Sequence, residues 1–394
     1  MAYRAAARVG RPRQRIERSA VTTVSVEDLP RLAATVVAAT FALAFVFGAV
    51  AQRTGFCTMG AVADVVNFGD WTRMRQWLLA IAVAVLGTNG MAAAGLIDTA
   101  DAFYTAPRFT AAAYVVGGLA FGFGMVLAGG CGSRSLVRAG GGSLKSLVVL
   151  LVLGFSAYVT LRGALALVRV HAIEPVGLQF ATHQDLPSLL AAATGIGKPA
   201  LQLALGLLVG GALLAFALAR RDFLQFDNLL AGIAVGGVIA GVWFVSGYVG
   251  RLDEHPVTIE KAFVATSSGR MESLSFVAPI AHTLDWLMFF SDRSKVITLG
   301  VAGVLGTFVG SAASAIATGR FRFEGFRDTE DTANHLVGAM LMGFGGVTAL
   351  GCTIGQGLSG VSTLSLGSLV AFASIVAGAV AGVRYQAWRI ERSG

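Results

Sequence analysis

Charge is scarce in this sequence: Asp, Glu, Lys and Arg together make 13% of its 394 residues, against about 25% in an ordinary soluble domain. Cysteine is scarcer still, with three in the whole chain. None lies in a C-x-x-C pair or beside a His at metal-ligand spacing, which excludes a disulfide framework and offers no zinc motif. The histidines His255, His282 and His335 are scattered in or near loops, so neither a metal nor any other cofactor is implied. What the chain has instead is apolar: 55% hydrophobic residues, 51 glycines and a mean hydropathy of +0.71. That composition is that of an all-α polytopic membrane protein, because backbone groups in lipid must pair within their own segment and abundant glycine lets helices approach closely.

The net charge of +8 does not point to a nucleic acid. The basic residues lie at span ends and in an amino-terminal tail (Arg4, Arg8, Arg11, Arg13, Arg15, Arg18, Arg31), so anionic lipid is the expected partner. This tail, residues 1–31, reads as disordered or surface-bound. It imitates the start of a signal peptide, but the apolar run after it is of spanning length, so cleavage is rejected.

One pattern recurs. Gly122-Phe-Gly is followed nine residues later by Cys131, and Gly343-Phe-Gly nine residues later by Cys352; Gly48 stands at the same distance before Cys57, and Gly237 before Ser246 as a weaker fourth copy. In the clear copies a hydrophobic run ends in glycines, a thiol follows, and a short stretch leads to the next run. These are read as membrane helices broken at a cysteine.

In chain order, spans are expected at about 32–51, 74–96, 111–130 and 143–168, with a half-helix at Thr58 to Phe68. A polar connection and a lone fifth span, 199–218, follow. Four more spans are expected at about 229–248, 296–317, 334–350 and 366–388, with a further half-helix within 273–290. About nine spans result: a first repeat over 32–168, a connector over 169–228, and a second repeat over 229–394. The odd number of crossings inverts the second repeat, so its broken loop enters from the opposite face and the thiols meet in an hourglass-like arrangement. Short basic connections carrying Arg53, Arg73, Arg75, Arg134, Arg138, Lys145, Arg220, Arg221, Arg320, Arg322 and Arg327 mark the cytoplasmic side. The amino-terminal tail, equally basic, argues the other way; the short loops are given more weight, and the amino terminus is expected outside.

A half-helix whose amino end points inward presents unpaired N–H groups and a positive dipole end, which favours an anion. A neutral thiol there is a weak donor and a polarizable acceptor, suited to a small anion that carries sulfur. A membrane cysteine often packs merely as a small apolar residue; three placed at repeated breaks, and none elsewhere, argue for ligand contact. The candidate substrate-binding residues are Cys57, Cys131 and Cys352 with Gly132, Arg134, Thr353 and Gln356. Arg134 either supplies charge to the path or snorkels to headgroups, and the polar side chains either line the path or bond helix to helix. Asn89 reads as helix glue, and Asp285 as a residue that pairs at the surface or, less simply, carries protons.

The stretches Arg53-Thr-Gly-Phe-Cys57, Gly129-Gly-Cys131-Gly-Ser-Arg134 and Gly351-Cys-Thr-Ile-Gly-Gln-Gly357 resemble the YeeE/YedE family of sulfur-compound transporters, and the resemblance runs through nearly the whole chain from Leu32. It implies thiosulfate uptake across the bacterial inner membrane, with Cys57, Cys131 and Cys352 as relay thiols, and a small cytoplasmic TusA-like sulfur carrier as a frequent partner. Some relatives have a further cysteine where this chain offers only Ser246 or the stretch Ser273 to Phe276. Two alternatives are a membrane enzyme transferring sulfur through a cysteine persulfide, which lacks a base beside either thiol in sequence, and a passive anion channel of the aquaporin kind, whose Asn-Pro-Ala motif is absent.

Overall fold

A computed structural model of the chain describes residues 25–393, so most of the arginine-rich tail lies outside the described residues. The first half contains α1 (Leu29–Thr54), α2 (Thr58–Phe68), α3 (Thr72–Ala93), α4 (Ala111–Leu127), α5 (Gly132–Gly140) and α6 (Leu144–Arg162). A connecting region holds α7 (Ala164–Val168), α8 (Leu186–Thr194) and α9 (Lys198–Leu218). The second half contains α10 (Phe226–Phe244), α11 (Val277–Met288), α12 (Leu299–Ala317), α13 (Thr329–Thr348), a short helix over 353–362 that widens into a π-helical turn at Gly355–Gly360, and α14 (Leu366–Ser393). The described strands are two-residue pairs in loops: β1 (Arg108–Phe109) with β2 (Leu178–Gln179), and β3 (Arg251–Leu252) with β4 (Ala262–Phe263).

Among the described residues, eight helices are long and apolar enough to cross a membrane. The expected ninth crossing falls on α13, whose 20 residues reach about 30 Å at 1.5 Å per residue. Its first two turns carry Glu330, Asp331 and His335, which lowers its hydropathy, but it is packed between α4 and α6.

The packing exchanges the two halves. α1 lies against α12 as α10 lies against α3; α4 lies against α14 as α13 lies against α6; α2 abuts α3 as α11 abuts α12. On the axis of this exchange α4 crosses α13, and α1 crosses α10. The α4–α13 crossing shows the relation residue by residue. A Cβ on Gly345 would stand 2.5 Å from the Gly117 carbonyl oxygen, and one on Gly338 2.5 Å from that of Gly124. The displacement that carries Cys131 onto Cys352 carries Gly117 onto Gly338 and Gly124 onto Gly345, so each contact becomes the other when the halves are swapped. Because the later residue of α4 meets the earlier residue of α13, the helices run antiparallel. The repeat is therefore inverted, related by a two-fold axis across the helices. Glycine is required here, since backbones so close leave no space for a side chain.

Candidate thiol site at the helix breaks

Each cysteine follows the same local device. Two residues before it, a left-handed residue ends the preceding helix: Gly55 (φ 69°) before Cys57, Gly129 (φ 66°) before Cys131 and Leu350 (φ 59°) before Cys352. At the two equivalent breaks the next amide reaches back five residues, Gly130 to the Met125 carbonyl and Gly351 to that of Gly346, both at 2.8 Å, which satisfies carbonyls that the ended helix would leave open. Glycine adopts this conformation without strain, whereas Leu350 stores some, as often occurs at functional breaks.

Each cysteine stands at the start of the following half-helix, and the Cys57 and Cys352 thiols cap theirs. Cys57 is the N-cap of α2 and accepts from the Gly60 amide at 3.4 Å; Cys352 accepts from the Gly355 amide at the same distance. Cys131 is the N-cap of α5, and its sulfur lies 3.2 Å from the Ser133 hydroxyl. All three are buried and unoxidised. Cys131 stands within electrostatic range of both Cys57 and Cys352.

The Cys352 half-helix is held from three sides. Ser359 donates to the Leu274 carbonyl at 2.7 Å, Trp243 donates its indole N–H to the Ser362 hydroxyl at 2.9 Å, and Asn89 donates to the Ser362 carbonyl at 2.9 Å. Asn89 thus ties helices together, as its sequence setting suggested. Asp285 pairs with Lys295 at 2.6 Å and accepts from Tyr158 at 3.1 Å, the pairing role expected of it. The fourth half-helix is α11, capped by Phe276. Ser246 is not at a break: it lies in the π-helical continuation of α10, and its hydroxyl donates to the Glu272 carbonyl. The counterpart of Cys57 is therefore in the Ser273 to Phe276 stretch, because the second-half loop between helix and half-helix is longer than the first.

Two cavities lie toward opposite ends of α13. One, of about 240 Å³, borders the carboxyl end of α13 and reaches Gly351 beside Cys352; Tyr104, Glu272, Ser273, Ser275 and His282 are on its wall. The other, of about 350 Å³, lies under the loop that leads into α13 and is lined by Gln52, Arg134, Arg138, Arg320, Arg322 and Glu324. Arg134 is also within electrostatic range of Cys57. Glu324 straps the loop down. Its carboxylate pairs with Lys145 at 2.8 Å and Arg138 at 3.0 Å, and the Lys145 and Arg138 contacts hold its acidity at about 2.

Of the residues expected at the site, Gly132 is the first residue of α5, with Leu153 and Ile280 at van der Waals distance from where a Cβ would stand. Thr353 is fully buried next to Cys352 and its hydroxyl has no protein partner. Gln356 donates to the Ala349 carbonyl, while its side-chain oxygen is unpaired. Sequence reasoning passed over Tyr104 and Ser275, which face each other beside Cys352; they come from loops with no motif. It also passed over Thr58, although the Cys-Thr pair at Cys57 repeats at Cys352.

With this geometry in view, the comparison with known proteins is direct. A model of the family described as sulphur transport matches residues 53–381, which include all three breaks. The chain belongs to the sulphur transport family. It is similar to the thiosulfate transporter TsuA of Escherichia coli strain K12, with 28% identity over 329 residues, covering 79% of this chain and 83% of that protein. It is 27% identical over 340 residues to the thiosulfate transporter TsuA of Spirochaeta thermophila, covering 83% and 92% respectively. Family membership and the eight apolar helices make the chain a multi-pass membrane transporter of sulfur compounds, and both relatives are transporters, not enzymes.

Proposed function

We propose that the chain takes up thiosulfate, or a closely related small sulfur-containing anion, across the bacterial inner membrane, passing it between the thiols of Cys352, Cys131 and Cys57. The observation that carries this reading is the repeated break with a buried thiol at Cys57, Cys131 and Cys352, Cys131 being within electrostatic range of the other two, together with an arginine-lined cavity that includes Arg134 and a second cavity that reaches Gly351. In this scheme the anion enters on the Cys352 side, where the thiol donates a weak hydrogen bond to its terminal sulfur. Thr353 and Gln356 line this first station, and Gly132 leaves room for passage at the second. Arg134 draws the anion onward by its fixed charge, and the arginine-lined cavity faces the cytoplasm, in keeping with the positive-inside rule. The amino terminus is then outside. The repeats run over 32–168 and 229–394, with 169–228 as connector. A small TusA-like carrier protein is the proposed acceptor at the cytoplasmic mouth.

The test is growth on thiosulfate as sole sulfur source in a strain that depends on this chain. Cys352→Ala, expressed at the wild-type level, is expected to abolish growth, with full recovery on cysteine. Undiminished growth would falsify the relay.

A further inference from the structure

A thiol recognises only the sulfur end of such an anion. The other end carries oxygens, and oxygens call for harder donors, O–H or N–H. Three buried hydroxyls stand within two residues of the three thiols: Thr58 after Cys57, Ser133 two residues after Cys131, and Thr353 after Cys352. The hydroxyls of Thr58 and Thr353 have no hydrogen-bond partner in the protein, and that of Ser133 meets the Cys131 sulfur.

Unpaired hydroxyls also occur at Thr110 and Ser368, at the starts of α4 and α14 where neither follows a cysteine, and at Thr40, Thr88 and Thr307, which lie inside continuous helices. There a change of rotamer brings the hydroxyl to the carbonyl four residues back, as Thr160 and Thr348 do at 2.8 Å. Thr58 and Thr353 begin their half-helices, so no carbonyl of the same half-helix lies four residues behind them. A donor left this way in a buried place is destabilising, unless something that comes and goes accepts from it.

The half-helix ends add direction. The amides of Gly60 and Gly355 donate to the Cys57 and Cys352 sulfurs, so at these two breaks the thiol sits at the positive end of the half-helix, next in sequence to the unpaired hydroxyl.

We infer that Thr58 and Thr353, with Ser133 between them, bind the oxygen end of the transported anion, and that this pairing of one thiol with one hydroxyl selects sulfur oxyanions that also carry an exposed sulfur. The inference rests on the thiol relay proposed above and assigns it a second, oxygen-directed contact at every station. An anion with oxygens alone would leave the thiol unused, and one with sulfur alone would leave the hydroxyl unpaired. Each loses one of two contacts.

The experiment uses the full chain reconstituted in proteoliposomes, with initial rates of radiolabelled thiosulfate uptake measured against concentration and melting temperature checked for each variant. Thr353→Val and Thr58→Val keep shape and lose the hydroxyl. Each is expected to raise KM on the order of tenfold, the value of one hydrogen bond to a charged group, while Thr353→Ser and Thr58→Ser stay within about twofold of wild type. Should a valine variant fail to fold, the Ser and Ala variants at the same position, which differ by one oxygen, decide the matter by the same KM ratio. Wild-type KM in both valine variants, or equal KM for Ser and Ala, overturns the inference while Cys352-dependent uptake leaves the relay standing. Absence of thiosulfate uptake by the wild-type chain overturns both.

Discussion

Cys131 and Cys352 occupy equivalent places in the two halves, yet the cavities beside them differ in character. Four arginines, Arg134 of the Cys131 half-helix among them, border one, whereas serines, Tyr104, Glu272 and His282 border the other, which reaches Gly351. The displacement that carries one cysteine onto the other carries Arg134 onto Gly355 and Arg138 onto Ser359. Gly355 is tightly enclosed, since a Cβ there would stand 2.6 Å from the Ser275 hydroxyl and 3.0 Å from that of Tyr104. Duplication of the fold supplies two like backbones, and the residues immediately after each thiol make one end electropositive and the other nearly neutral. An inverted repeat can in this way be symmetric in shape and directional in charge.

The symmetry of shape is the easiest part to break. Gly117→Val and Gly338→Val both force a side chain into the α4–α13 crossing, from positions that the two-fold axis exchanges. Each is expected to cost about 3 kcal/mol by overpacking, and the two losses should match closely in thermal unfolding. A well-folded Gly117→Val beside a collapsed Gly338→Val would mean that the axis does not pass through this crossing.

A smaller difference should appear at the left-handed turns. Gly129→Ala imposes strain of about 1–2 kcal/mol where there is space but the wrong backbone conformation, since the nearest atoms to its Cβ are 3.6 Å away. Leu350 already carries that strain, so Leu350→Ala, measured in the same unfolding assay, should lose only the side chain's packing and gain nothing in backbone relief.

The charge difference is tested by Arg134→Gln. Uptake at low salt is expected to fall about fivefold, and its decline with added salt should flatten, because a fixed charge at the cavity wall acts through screened attraction. Polar changes at Ser273 or Ser275 should leave the salt profile as it is.

The smallest effect concerns the strap. Glu324 is held from 4.5 down to about 2 by Lys145 and Arg138. A carboxylate with depressed acidity in the folded state stabilises above its unfolded value and ceases to do so as pH falls through the folded one. The loop's contribution is therefore complete above about pH 4.5 and lost toward pH 2. Glu324→Gln should remove that acid dependence while shifting stability near neutrality by less than about 1 kcal/mol, since the pair is partly open to solvent. Proteolysis of the loop before α13 at pH 5 and pH 3 would display the difference between wild type and variant.

Much of this molecule is written locally. Long apolar runs specify spanning helices because unpaired backbone cannot lie in lipid, and a glycine-rich end followed by one thiol specifies a break. The half-helix expected at Thr58 to Phe68 coincides with α2. The half-helix expected within 273–290 is α11; only the weaker alignment from Gly237 to Ser246 failed, because a long folded loop separates α10 from that half-helix. The sequence by itself determined the class of protein, the helices and the presence of three thiols at their breaks, since each depends on residues adjacent in the chain. Only the tertiary structure decided that α4 meets α13 through exchanged glycines, that Cys131 comes within electrostatic range of the other two thiols, and that arginines from separate segments share one cavity. Those facts depend on which helix faces meet, and in a membrane protein that choice follows from close packing of small residues at points far apart in sequence.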